Sequence, residues 1–204
     1  MKTWLFRPFE RIAGGPALGL GLIVILLTAW LAARGGLHTD GVLDLHFKPD
    51  AGLFQLILQG FINWLSLSLA LLAAAWWLSR GRFRVLDLLA TQALARWPLL
   101  LGVGYLSIRP VSEAIEQGTA RMMAAMPEDP SQVMAPPEFL LDAMWLMLIS
   151  LPLLVLIGWM IWLMYHAYSL VTDLKGQRGV FSFVGALVVA EILSKALIYL
   201  MVSS

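Results

Sequence analysis

The feature that most constrains this chain is a succession of long apolar runs. About 18–20 apolar residues, rising 1.5 Å each in a helix, cross the ~30 Å hydrocarbon layer of a bilayer. Residues 16–33, 53–78, 139–170 and 179–202 reach that length with few charges. A fifth segment, 85–108, is long enough but carries Asp87, Gln92, Arg96 and Pro98. Backbone N–H and C=O groups in hydrocarbon must be satisfied internally, so such runs are read as helices. The sequence therefore predicts an all-α fold, a polytopic transmembrane helical bundle of five spans in one membrane domain. Its outer loops are 34–52 and 109–137. The run at 139–170 would reach about 48 Å, so it is expected to tilt or project, with a kink or break near Pro152.

Composition agrees where it bears on the question. Hydrophobic residues make up 60% of the 204 and charged residues 13%, against roughly 25% charged in soluble domains. The net charge of +1 gives no reason to expect a nucleic-acid partner. Cysteine is absent, which excludes disulfides, thiolate metal sites and a cysteine nucleophile. The basic N-terminus (Lys2, Arg7, Arg11) before an apolar run has the outline of a signal peptide. The run exceeds the usual 7–15-residue core, and Leu31-Ala32-Ala33 is a poor cleavage site, so a retained first span is expected. Trp4, Phe6 and Phe9 are expected at headgroup level.

Lysine and arginine set the orientation. With the N-terminus inside, the inner segments hold Lys2, Arg7, Arg11, Arg80, Arg82, Arg84, Lys175 and Arg178, and the outer ones Arg34, Lys48, Arg109 and Arg121. The bias gives N-inside and C-outside. Were segment 85–108 not to cross, the last two spans would invert.

Four stretches, taken in order, carry a family resemblance: Phe9-Glu10-Arg11-Ile12; the loop from His38-Thr39-Asp40-Gly41 to Asp44-Leu45-His46-Phe47; LLATQALARWP ending at Pro98; and Ala190-Glu191-Ile192-Leu193-Ser194-Lys195. Together they resemble the bacterial branch of the Yip1-domain family of polytopic membrane proteins. The resemblance covers most of the chain and implies a five-span bundle. Eukaryotic members are linked to vesicle trafficking and small GTPases; that role is not expected here, since no long cytoplasmic N-terminal region precedes the first span.

Ionisable and amide groups inside spans need a reason, because hydrocarbon does not solvate them. Arg96, Glu191, Lys195, Asn63 and Gln59 form the candidate intramembrane polar cluster. Glu191 and Lys195, four apart, share one helical face. They read either as a self-neutralising pair that holds helices together or, with Arg96, as a polar path for a proton or solute. Arg96 lies just before Pro98, where a broken helix would free carbonyls for it. Gln59 and Asn63 suit interhelical hydrogen bonds.

In the first outer loop His38, Asp40, Asp44 and His46 fall at even spacing, which places all four on one side of an extended strand. Two imidazoles and two carboxylates suit Zn²⁺ or another borderline divalent ion, and this is the one cofactor the sequence suggests. The alternative is a solvated loop turning at Asp40-Gly41. In the second outer loop Val111, Ile115, Gly118, Met122 and Met126 recur at helical spacing, predicting an amphipathic surface helix with Glu113, Glu116 and Arg121 in water. Met122, Met123, Met126 and Met134 read as packing rather than copper ligands. His166, Tyr165 and Tyr168 read as interfacial anchors.

No nucleophile–base pairing, HExxH or phosphate loop is present. The leading expectation is a non-catalytic scaffold or partner-organiser in a bacterial inner (cytoplasmic) membrane. Its partners are lipid and either other membrane proteins or further copies of itself. A small transporter or channel is the competing class, and a metal-binding membrane enzyme the third.

Overall fold

The structure, a computed structural model, describes residues 5–47, 51–79, 83–124 and 137–203. It is all-α apart from one two-stranded hairpin. A short 3₁₀ turn, Pro8–Glu10, leads into α1 (Gly14–Gly35). The hairpin strands β1 (Leu37–His38) and β2 (His46–Phe47) follow, then α2 (Leu53–Leu78), α3 (Val85–Leu94) and α4 (Trp97–Leu106). The chain ends with α5 (Arg109–Ala124), α6 (Pro137–Thr172) and α7 (Gly176–Ser203). Four helices, α1, α2, α6 and α7, are long and apolar enough to cross a membrane. Their outward faces are apolar: Ile23, Leu69, Leu154, Val188 and Ile192 are all exposed, while Gln59, Asn63, Gln92 and Arg96 are buried. A soluble surface rarely tolerates so much exposed hydrocarbon, whereas a lipid-bathed one is built this way.

Segment 85–108 is two helices rather than one. Pro98 has no N–H to offer the Leu94 carbonyl, and the chain passes from α3 to α4 through tighter bonds, Arg96 N–H to Ala93 O (3.4 Å) and Leu99 N–H to Arg96 O (2.9 Å). The pair nevertheless runs parallel to α1 for the whole of its length. Gly14 lies near Asp87 at one end, and Ser107 Oγ reaches Leu31 O (3.4 Å) near the other. Between them Gly21 meets α3 backbone to backbone, since a Cβ there would stand 2.5 Å from Ala93 Cβ and 2.6 Å from the Leu94 nitrogen.

α6 packs antiparallel to α3 and α4, tied by Gln92 Nε2 to Met164 O (2.9 Å) and Tyr105 Oη to Ile149 O (2.8 Å). At 36 residues it is about 54 Å long. Its first turns extend past α4 and are covered by α5, where Gly118 sits under Leu146 and Arg121 pairs with Asp142 (3.8 Å). The excess length is thus taken up by a helix–helix contact. Of the expected kink or break at Pro152 the break does not occur, for α6 continues through that position as one helix. α5 has the predicted amphipathic face: Val111, Ile115 and Met122 are partly covered and Gly118 is buried, whereas Glu113, Glu116 and Arg121 are exposed. Met126, Met134, Trp4, Lys48, Arg80 and Arg82 lie outside the described residues.

α7 packs mainly on α2, and it buries one stripe, Phe183, Ala186, Ala190, Ser194 and Ile198, at helical spacing, with Phe183 against Tyr165 and Tyr168 of α6. Two expected interfacial aromatics are core residues instead. Phe9 is buried in the main cluster, and Tyr168 is fully buried with its hydroxyl on Ser182 Oγ (3.1 Å). Both fill space where α6 meets its neighbours, which a lipid-facing aromatic cannot do.

Candidate functional site: a hairpin seated among helices

α1 ends at Gly36, whose φ of +62° lets the chain reverse while its N–H caps Ala32 O. Instead of leaving the bundle, the loop turns back into it. Leu37 pairs with Phe47 and His38 with His46, and the residues between them pass down beside α2 and α7. Leu37, His38, Thr39 and Val42 are all buried, and Val42 joins the main core with Leu67 and Leu71. Thr39 lies level with Asn63, about ten residues or 15 Å along α2 from Leu53. The even-spacing expectation of a single strand fails here because the segment is a hairpin, with His38 and His46 on opposite strands and their rings stacked 5.6 Å apart.

Irregular backbone at such depth needs partners within the protein. Span residues supply them. Asn63 Nδ2 donates to Thr39 O (3.0 Å), and the Gln59 amide meets His38 Nε2 (3.1 Å). On the other side Glu191 Oε2 accepts from Leu43 N–H (3.1 Å), and Lys195 Nζ donates to Asp44 Oδ2 (2.8 Å) while standing 3.4 Å from Glu191 Oε1. The bond from Lys195 holds the Asp44 carboxyl below its usual 3.8, with burial opposing it in part. Gly41 lies flat on α7: any Cβ there would overlap the Glu191 carboxylate and stand 3.0 Å from Lys195 Cε.

The five cluster residues therefore divide between the flanks of the hairpin. Glu191 and Lys195 grip one side. Gln59, Asn63 and Arg96 lie on the other, where Arg96 Nη2 donates to Asn63 O (2.8 Å) rather than to a carbonyl freed at Pro98. Among the described residues Arg96 has no carboxylate at ion-pair distance. Beside it lies a cavity of about 20 Å³, lined by Thr28, Thr39, Gly60, Asn63, Arg96 and Leu99 among others.

Of the four suggested metal ligands, Asp40, Asp44 and His46 bring one donor atom each within 4.8 Å of one another. His46 Nδ1 is 3.4 Å from Asp40 Oδ1. His38 is not in that group of donor atoms; its Nε2 meets the Gln59 amide instead. The donor set suits a borderline divalent ion, but Lys195 already supplies a cation to Asp44.

Residues that spacing did not single out also matter. Gly41 read as a turn glycine and is a contact glycine. Thr39 acts through its carbonyl and Leu43 through its N–H, and backbone groups leave no mark in a sequence. Gln92 was visible only as a blemish on a hydrophobic run, yet it is fully buried and ties α3 to α6. No family model, curated protein or solved structure matches the chain.

Proposed function

We propose that the chain is a five-crossing protein of a bacterial inner membrane, N-inside and C-outside, of the Yip1-domain type, and that it acts as a non-catalytic scaffold. The observation that carries this reading is how the intramembrane polar groups are used. Asn63, Gln59, Glu191 and Lys195 are engaged in holding the hairpin. The space left beside Arg96, about 20 Å³, has room for roughly one water and no passage for a solute. Polar residues arranged for transport would converge on a wider hydrated path. Support for the fifth crossing comes from α3 and α4, which run parallel to α1 from end to end. On this reading the hairpin is re-entrant, and α6 and α7 offer their outer faces to partner helices.

Two measurements test it. Cysteines placed singly at Arg109 and Asp173, in a chain with none of its own, should label with an impermeant maleimide from the outside and the inside respectively. Proteoliposomes should show no solute or ion flux above protein-free vesicles, while photo-crosslinkers at Val188 or Ile192 should capture discrete membrane partners or a second copy. Arg96-dependent flux would overturn the scaffold in favour of a transporter. Labelling of position 109 from the inside and of position 173 from the outside would overturn the five-crossing topology.

A further inference from the structure

Among the described residues, Arg96 is a charged side chain in the interior whose contacts leave its chemistry incomplete. It is only 4% exposed, its Nε has no hydrogen-bond partner, and its one hydrogen bond goes to a neutral carbonyl, Asn63 O. Glu191, the acid that acts on it at longer range, is engaged by Leu43 N–H and Lys195. A buried guanidinium without a contacting anion is costly, and the cost falls when an anion reaches it.

The cavity beside the guanidinium defines what could do this. Its volume of about 20 Å³ admits one water or one monatomic ion and excludes carboxylates, phosphates and sulfates. The positive charge of Arg96 excludes a cation. Thr28 on α1 contributes a hydroxyl to the lining; it now donates to Val24 O (2.7 Å), and rotation would direct it at an occupant. Of the other walls, Ile25, Ala29, Ala32, Leu56 and Leu99 are apolar, and Thr39 and Asn63 come from the hairpin side. We propose that this cavity binds a single halide-sized anion, held by the Arg96 guanidinium and the Thr28 hydroxyl, beneath the seated hairpin. The other occupant of this size, a water bonded to the unpartnered Asn63 Oδ1, has no halide dependence.

The test uses the full chain purified in detergent, with unfolding followed through tryptophan fluorescence. Sodium chloride and sodium bromide are titrated against sodium gluconate at equal ionic strength. The proposal expects a saturable rise in Tm with the halides, about 3–6 °C at tenfold over Kd, and none with gluconate. Bromide should give an anomalous scattering peak at the guanidinium. Arg96→Gln should abolish the halide-dependent rise, and the near-isosteric Thr28→Val should weaken halide affinity about tenfold. Equal Tm in halide and gluconate, or a halide rise that persists in Arg96→Gln, overturns it. Should Arg96→Gln fail to fold, the decision rests on the other two readouts: unchanged affinity in Thr28→Val together with no bromide peak at Arg96 overturns the proposal, and weakened affinity with the peak supports it.

Discussion

Replacing Glu191 by alanine should loosen the hairpin without unfolding the helices. The carboxylate accepts the Leu43 N–H at 3.1 Å and stands 3.4 Å from the Lys195 ammonium. A hydrogen bond to a charged group contributes about 1.5–3 kcal/mol, and removing the acceptor leaves the part-buried Leu43 N–H without this partner. The ion pair adds little, since the Lys195 side chain is nearly half exposed. The expected loss is thus about 2–3 kcal/mol, acting on local opening of the hairpin and raising its open population about 30–150-fold. Val42 is 1% exposed at the base of the hairpin, so a Val42→Cys probe in this cysteine-free chain reports that opening directly. In the Glu191→Ala background its maleimide labelling in native membranes should accelerate by that factor. Glu191→Gln, which keeps an acceptor oxygen, should accelerate it only about fivefold. Labelling as slow in Glu191→Ala as in the parent would refute the claim that this carboxylate holds the hairpin in place.

Three other substitutions probe separate contacts. Gly21→Ala forces α1 and α3 apart at a backbone-to-backbone contact and should cost about 1–3 kcal/mol, read as a Tm several degrees lower in detergent, with Gly21→Leu failing to accumulate in the membrane. Asp44 has a folded pKa below 3.8, so its stabilising contribution is present above pH 3.8 and disappears as the pH falls through the lower folded value. Asp44→Asn should therefore melt earlier than the parent at pH 7, and the difference should shrink as the pH falls below 3.8. Lys195 competes with any divalent ion for Asp44, so Lys195→Ala should acquire a Zn²⁺-dependent rise in Tm that exceeds the parent's, with Asp40→Asn removing it.

Hydropathy made the long helices legible to within a few residues, because a lipid-facing helix writes its length in uninterrupted apolar letters. The segment 85–108 was harder, and for a physical reason. Gln92, Arg96 and Pro98 lower its apolar score because α3 and α4 lie in the middle of the packing, against α1 on one side and α6 on the other, where side chains meet protein rather than lipid. The α5 stripe was readable because an amphipathic helix repeats its contacts every three or four residues. Pro152 does not end α6: a proline removes one hydrogen bond, and the remaining turns carry the helix through.

The hairpin is the instructive failure, since its residues have the composition of a solvated loop. His38 and Thr39 look hydrophilic when taken alone, and nothing local says that they turn inward. What makes burial possible lies 20 to 150 residues away, in Gln59, Asn63, Glu191 and Lys195. Those four were conspicuous in the sequence as polar residues in hydrocarbon without partners, while the loop between α1 and α2 held polar groups without an evident role. Each set is costly by itself, and each satisfies the other. The apolar residues Leu37, Val42 and Leu43, interleaved with the polar ones, give the loop something to bury once its backbone is bonded. Gly41 then becomes necessary, because only a residue without a side chain lets the loop backbone lie against α7 at Glu191. A polar residue in a predicted span therefore points outward along the chain to the loop that needs it, and Arg96, whose loop-side neighbour Thr39 bonds to Asn63 instead, is left as the position where a partner from outside the chain has most to offer.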